Sequence, residues 1–259
     1  MFIEPIAAFT DNYIWCLHDG RTAWVVDPGE ASPVLMFLAA NKLSLQGILI
    51  THHHHDHTGG IGELRQAFPA LNIYGPRNRD DKPSIKGLDK HVAEGDAVDV
   101  LGYSFRVLEI PGHTLDHIAY YAPDSHPPTL FCGDTLFAAG CGRLFEGTPP
   151  QMLASLQKLA QLPAATAVYC GHEYTVANLR FAQAVEPNNV AVRERAAAAA
   201  TLRAAQRPTL PSNIGLELAT NPFLRCQTPS VLAAARRHGA QNENLAAIFA
   251  AIRTWKDQF

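Results

Sequence analysis

Residues 47–57 read GILITHHHHDH, and no other stretch of the 259-residue chain constrains its fold so tightly. The first five residues form a short apolar run ending in threonine, as expected for a strand covered on both faces. Directly behind it come six residues that comprise five histidines and one aspartate. A buried strand must therefore emerge at a place dense in imidazole, which packing alone gives no reason to build. In extended chain alternate side chains point the same way, so His52 and His54 can converge on one point. Asp56 and His57 fall where the chain turns toward a helix expected over 59–68, and can face a neighbouring point. Four or more ligands in so short a segment exceed what one tetrahedral ion takes from it, so two adjacent metal ions are expected. His53 and His55 are expected to point away. A tag remnant does not fit, because the run is internal and continues into Thr58-Gly59-Gly60.

Three further metal-capable side chains share this context. His113 follows an expected strand over 106–110 through Pro111-Gly112, Asp134 follows 129–132 through Gly133, and His172 follows 167–170 through Gly171. Each stands just beyond an apolar strand, with glycine easing the backbone path. Around these positions the pattern is mixed α/β. Hairpins are expected at Asp19-Gly20, between strands 12–18 and 21–26, and at Leu101-Gly102 within 98–110. Ser32-Pro33 reads as a cap and first-turn proline opening a helix to Asn41, and 151–162 as another helix. Strands are expected at 71–74 and 118–122. Such a mixture favours stacked mixed sheets over a purely parallel doubly wound sheet. Beyond Tyr174 the strand signals stop, and helices are expected over 175–185, 190–206, 230–238 and 243–255. Charge changes at the same place, with eleven basic and nineteen acidic residues up to Tyr174 and ten against five after it. The expected division is therefore 1–174 and 175–259.

Composition removes several classes of function. With 47% hydrophobic and 17% charged residues the chain can build a real core. A formal net charge of −3 and the lack of a dense basic run argue against a nucleic-acid partner. No apolar run approaches the ~18–20 residues of a membrane span. Met1-Phe2-Ile3-Glu4-Pro5 lacks the basic and apolar regions of a secretory signal. Five widely spaced cysteines without a C-x-x-C read as buried thiols of a reducing cytoplasm. The isolated His18, His91, His126 and His238 are expected to be surface or capping residues.

The motif Thr51-His52-x-His54-x-Asp56-His57 is followed in order by Pro111-Gly112-His113-Thr114, Gly133-Asp134-Thr135 and Gly171-His172-Glu173-Tyr174. Together these resemble the metallo-β-lactamase superfamily. The resemblance implies an α+β chain, with an αββα sandwich followed by a smaller all-helical C-terminal domain. It implies His52, His54 and His113 on one metal ion, Asp56, His57 and His172 on a second, and Asp134 bridging them. Segment 139–148 (AGCGRLFEGT), segment 221–225 (NPFLR) and the terminus 253–259 (RTWKDQF) further resemble the glyoxalase II family. That family resemblance implies hydrolysis of S-(2-hydroxyacyl)glutathione, chiefly S-D-lactoylglutathione, to D-lactate and glutathione. A metal-bound hydroxide would attack the thioester carbonyl, so no catalytic side chain is needed beyond the ligands. Arg143, Tyr174, Arg253 and Lys256 would hold glutathione, whose two carboxylates call for cations. Arg253 and Lys256 are three apart and share a face if helical. Phe145 departs from the tyrosine of some members, which removes one hydroxyl from the expected pocket. Zinc is the expected metal, with iron and manganese suited to the same ligands. The expected protein is a cytoplasmic monomer that meets a small glutathione thioester and neither nucleic acid nor membrane. Within the fold the alternative is an iron-dependent sulfur dioxygenase, against which the seven-ligand set counts.

Overall fold

The apolar runs of the first half pair into two sheets, and the polar residues that follow each run collect at strand ends. The computed structural model describes residues 1–77 and 85–259. Its contacts divide the chain into two compact units, Met1–Glu109 with Thr114–Gly133, and Ile110–His113 with Asp134–Phe259.

The first unit runs β1 (Phe2–Ala8), β2 (Asn12–His18), β3 (Thr22–Val26), α1 (Ala31–Asn41), β4 (Ser44–Leu49), α2 (His55–Thr58) and α3 (Ile61–Ala67). It continues through β5 (Asn72–Pro76), β6 (Lys90–Val92), β7 (Ala97–Val100), β8 (Tyr103–Glu109), β9 (Ile118–Ala122) and β10 (Thr129–Gly133). Strands β1 to β6 form one sheet in chain order, antiparallel up to β3 and parallel from β3 onward. Strands β7 to β10 form an antiparallel meander. The turn at Leu101-Gly102 has positive φ at both residues (53° and 80°), the geometry that matches strand twist in a two-residue hairpin. Val34 and Leu38 of α1 and Ile61 and Leu64 of α3 bury against Ile14, Val25, Ile48 and Ile73 of the first sheet. The buried Tyr120 of β9 ties the two sheets together, its hydroxyl donating to the Ile50 carbonyl at 3.0 Å. The Ile118 N–H donates to the Thr51 carbonyl at 2.9 Å, so the exit from β4 is held on both sides.

Several boundaries differ from the sequence expectations for physical reasons. β4 begins at Ser44 because parallel pairing with β3 starts at Thr22↔Ser44, three residues before the apolar run. α1 begins at Ala31 with Glu30 as its cap, so Ser32 is not the cap and Pro33 sits inside the first turn. Proline is tolerated there because first-turn N–H groups have no helical acceptor. β1 carried no expectation, since five of its seven side chains are exposed or only half-buried.

The second unit holds β11 (Leu136–Phe137), β12 (Gly140–Cys141), α4 (Pro149–Ala160), β13 (Ala167–Cys170), α5 (Thr175–Val185) and α6 (Val190–Ala204). After these come β14 (Ser212–Asn213), α7 (Ile214–Thr220), α8 (Pro229–Arg237) and α9 (Leu245–Asp257). α4 starts two residues before the expected position because Thr148 and Gln151 make a capping box and proline occupies the first turn. Strands do not stop at Tyr174, since β14 pairs antiparallel with β13. Two residues are too few for alternation to show. α7 was not anticipated either, because seven residues lie below the window in which helical periodicity is visible. No helix among the described residues is long and apolar enough to cross a membrane.

Candidate metal centre

In the first unit the chain leaves β4 buried at Ile50 and Thr51, stays extended to His54 (φ −60°, ψ 146°), and then makes the single turn α2. Extended backbone keeps His52 and His54 on one side, and their Nε2 and Nδ1 atoms lie 3.1 Å apart. The helical turn places Asp56 and His57 together, with Oδ2 3.4 Å from Nε2. Both His52 and His57 are buried, and their ring centroids lie 4.2 Å apart. The supports for this group were not foreseen. Asp27 accepts the Thr51 N–H at 2.7 Å on Oδ1 and the Thr51 hydroxyl at 2.6 Å on Oδ2, where His57 Nδ1 also lies at 3.1 Å. Thr51 Oγ1 is 3.0 Å from His52 Nδ1, and the Asn12 amide donates to Asp56 Oδ2 at 3.0 Å. A Cβ on Gly29 would lie 2.0 Å from the Asp56 carbonyl oxygen, so only glycine lets the 27–29 turn pass so close. One signal could have found Asp27, since Val25-Val26-Asp27-Pro28-Gly29 is again an apolar strand followed by a carboxylate and a glycine.

The neighbouring histidines sort by partner. His53 Nδ1 lies 3.0 Å from Asp116 Oδ1, which also accepts the Thr114 hydroxyl at 2.6 Å. Burial pushes the Asp116 carboxyl up, but the bonds from His53 and Thr114 outweigh it and hold the group below the usual carboxylate range. His55 is exposed. His117, which sequence reasoning missed, is buried and stacks on His52 with centroids 4.5 Å apart. His18, expected at the surface, is instead buried, with its Nε2 3.0 Å from Glu4 Oε1.

In the second unit the buried Asp134 places Oδ2 3.5 Å from His113 Nε2 and 3.2 Å from His172 Nε2. His113 Nδ1 lies 2.8 Å from the Arg143 carbonyl oxygen. A Cβ on Gly142 would sit 1.9 Å from the Asp134 carbonyl oxygen, so that approach also demands glycine. Tyr174 stacks on His172 with centroids 4.7 Å apart and 7° between planes. The exposed Phe145 meets His113 edge-on at 5.2 Å.

The same arrangement occurs in both units, and it suits divalent cations. A carbonyl beside His113 Nδ1 requires N–H there, so in the neutral ring Nε2 carries the lone pair. That lone pair faces a carboxylate oxygen of Asp134, and two acceptors face to face need a proton or a cation between them. His57 repeats this, with Nδ1 on Asp27 and Nε2 toward Asp56. Metal-ligating histidines are ordinarily held through their second ring nitrogen in this way.

Four residues expected to hold substrate lie in the second unit. Arg143 is mostly exposed, its Nε 3.6 Å from Asp257 Oδ1. Arg253 of α9 is buried, donating from Nη1 to the Cys141 carbonyl at 2.9 Å and from Nη2 to Asp257 Oδ1 at 3.0 Å. Lys256, also on α9, sets Nζ 5.4 Å from the Phe181 ring centroid. Burial first, then the charges of Arg253 and Arg143, push its ammonium below the usual lysine range. Tyr174 is partly exposed against Phe137 and His172. All five cysteines are buried. Burial lifts the Cys141 thiol to about 11 and those of Cys16, Cys170 and Cys226 to about 12, which keeps them protonated and poorly nucleophilic.

Comparison with known proteins covers nearly all of the chain. Residues 10–172 match the metallo-beta-lactamase superfamily model, and residues 173–259 match the model of the hydroxyacylglutathione hydrolase C-terminus. The hydroxyacylglutathione hydrolase of Pseudomonas aeruginosa (strain LESB58) is 55% identical over 261 residues, covering 99% of each chain. That of Dechloromonas aromatica is 52% identical over 271 residues, again covering 99% of each. Among solved structures, the BLEG-1 B3 metallo-beta-lactamase superposes with a TM-score of 0.64 at 23% identity, over 86% of this chain and 99% of the other. ETHE1 from Myxococcus xanthus gives 0.58 at 27% identity, over 88% and 100%. The expected α+β class, a metallo-β-lactamase fold with a helical C-terminal region, is what these matches show.

Proposed function

The chain belongs to the metallo-beta-lactamase superfamily and, within it, to the hydroxyacylglutathione hydrolases, and from that premise we propose that it hydrolyses S-(2-hydroxyacyl)glutathione, chiefly S-D-lactoylglutathione, to D-lactate and glutathione. The observation that carries this reading is a relationship of 55% identity over the full chain to a protein of that name. His52, His54 and His113 would hold one divalent ion, Asp56, His57 and His172 a second, and Asp134 would offer an oxygen to each. When bound, such ions polarise a carbonyl and lower the pKa of water to about 7.

The chain's own residues supply orientation and exclusion. Asp27 and Thr51 fix the rings of His57 and His52, the Arg143 carbonyl fixes His113, and Asn12 steadies Asp56. Cys16, Cys141, Cys170 and Cys226 do not compete as nucleophiles, because burial keeps their thiols protonated at neutral pH. Arg143, Arg253 and Lys256 would answer the two carboxylates of glutathione, with Arg253 bracing from within α9 and Arg143 reaching from an exposed position. Tyr174 would offer its ring to substrate beside His172. The working division is a catalytic domain over 1–174, which also carries the substrate contacts Arg143 and Tyr174, and a helical substrate-binding domain over 175–259. Zinc is the metal we assign, since imidazole and carboxylate donors suit it. We place the protein in the cytoplasm as a monomer acting on a small thioester, without nucleic acid or membrane, and five buried cysteines joined by no disulfide support that compartment.

One sample tests the proposal. Purified protein is assayed for loss of S-D-lactoylglutathione thioester while its metal content is measured by elemental analysis. Two ions per chain with thioester turnover are expected; two bound ions without turnover would overturn it.

A further inference from the structure

The segment from Asp134 to Arg143 carries a proposed ligand at one end and a proposed substrate cation at the other, yet little in its own sequence holds it. Strands β11 and β12 are two residues each and pair only through Leu136↔Cys141 and Phe137↔Gly140. Between them Ala139 takes φ +54°, a left-handed conformation that disfavours alanine. Downstream helices supply the missing hold. Glu217 of α7, fully buried, accepts the Ala139 N–H on Oε2 at 2.8 Å. Asn221, which caps α7 and is also fully buried, donates to that Oε2 at 2.9 Å. Its amide also reaches the carbonyls of Gly140 at 2.9 Å and Phe137 at 3.2 Å. The other oxygen of Glu217 takes the Arg195 guanidinium and the Ser212 hydroxyl. One buried carboxylate is thus divided, with Oε1 tying α7 to α6 and β14 and Oε2 gripping the turn.

We propose that Glu217, with Asn221, is a positioning residue for the thioesterase reaction, fixing the 137–140 turn and through it Asp134 and Arg143; this rests on the functional reading above. Neither residue needs to touch substrate. A role confined to folding would act through both oxygens alike, whereas the positioning role belongs to Oε2.

Three variants separate these roles. Glu217→Ala removes both sides, Arg195→Met removes a partner of Oε1 only, and Glu217→Gln keeps an oxygen able to accept from Ala139. Each is measured for amide exchange of the 136–142 peptide, for metal retention against a chelator, and for kcat and KM with the glutathione thioester. In Glu217→Ala the peptide should exchange at least ~10-fold faster, metal affinity should fall ~10-fold, and KM should rise severalfold. Glu217→Gln should recover most of each. Arg195→Met should lower the melting temperature yet keep all three readouts within about twofold of the parent. Equal changes in Arg195→Met and Glu217→Ala, or unchanged exchange and retention in Glu217→Ala, would overturn the proposal. If Glu217→Ala does not fold, Asn221→Ala carries the same expectation at smaller size, because the Ala139 bond to Glu217 survives. A parent enzyme without thioester turnover would defeat the functional reading alone, because exchange and metal retention still decide the clamp.

Discussion

Four of the seven proposed ligands come from one hexapeptide in the first unit, whereas the three in the second stand 21 and 38 positions apart. In the hexapeptide, local geometry does the placing. An extended stretch aligns His52 with His54, and one helical turn joins Asp56 to His57. Tertiary structure has only to orient rings, through Asp27 and Thr51. In the second unit no local rule brings His113, Asp134 and His172 together. Their geometry depends on the Arg143 carbonyl and on the grip of Glu217 and Asn221 on the intervening turn. The difference teaches that a dense motif is robust to distant change, while a dispersed one is vulnerable to it.

The largest expected effect falls on the dispersed half. Asp134→Ala removes the oxygen set between His113 and His172, and should cut kcat/KM by about 10³-fold together with metal occupancy. Retention of both, by assay and elemental analysis, would remove Asp134 from its bridging role. In the compact half the corresponding test is Asp27→Ala, which frees Thr51 and the ring of His57 without removing any proposed ligand. A fall of about 10–100-fold in metal affinity is expected by chelator competition. A loss as large as that of Asp134→Ala would show that local geometry is not what places the hexapeptide.

Smaller effects separate binding from bracing in the helical residues. Lys256→Ala should raise KM about tenfold and leave kcat alone, as for lost ground-state binding. Arg253→Ala should raise KM as well, but should also lower the melting temperature, because the buried guanidinium carries the Cys141 carbonyl and Asp257. An unchanged melting temperature would deny Arg253 its bracing role. Smallest in activity is Glu186→Gln. Burial pushes the Glu186 carboxyl up, but Arg225 and Ser230 outweigh it and hold it below the usual range. A carboxyl with a depressed folded value contributes stability that is fully present above about pH 4.3 and lost as pH falls through the folded value. Glu186→Gln should therefore melt below the parent at pH 7, converge with it in acid, and keep the parent kcat/KM. A gap between melting temperatures that persists at low pH would break that assignment.

Much of the architecture was legible because its signals are local. The pair Leu101-Gly102 announced a hairpin and takes positive φ at both residues. Runs 118–122 and 167–170 announced strands that occur as read, and the proline and asparagine breaks marked the ends of α5 and α6 to within a few residues. What stayed hidden depends on partners far away in sequence. Ser44 is in a strand because Thr22 lies beside it. Ser212 and Asn213 are in one because Val168 and Ala167 do. Asn12 and Glu217 look like an ordinary amide and an ordinary acid until the groups they hold come near.

The sequence by itself determined the chemistry available to this protein. Imidazoles and carboxylates just beyond apolar strands are donors for divalent ions, and their identity does not depend on the fold. Only the tertiary structure decided which nitrogen of each ring faces the neighbouring carboxylate and which partner holds the other. That choice is made by hydrogen bonds from residues tens of positions away, such as Asp27 on His57 and Arg143 on His113. Residue type sets what an atom can bind, but the direction of its lone pair is set by whatever the folded chain places behind it.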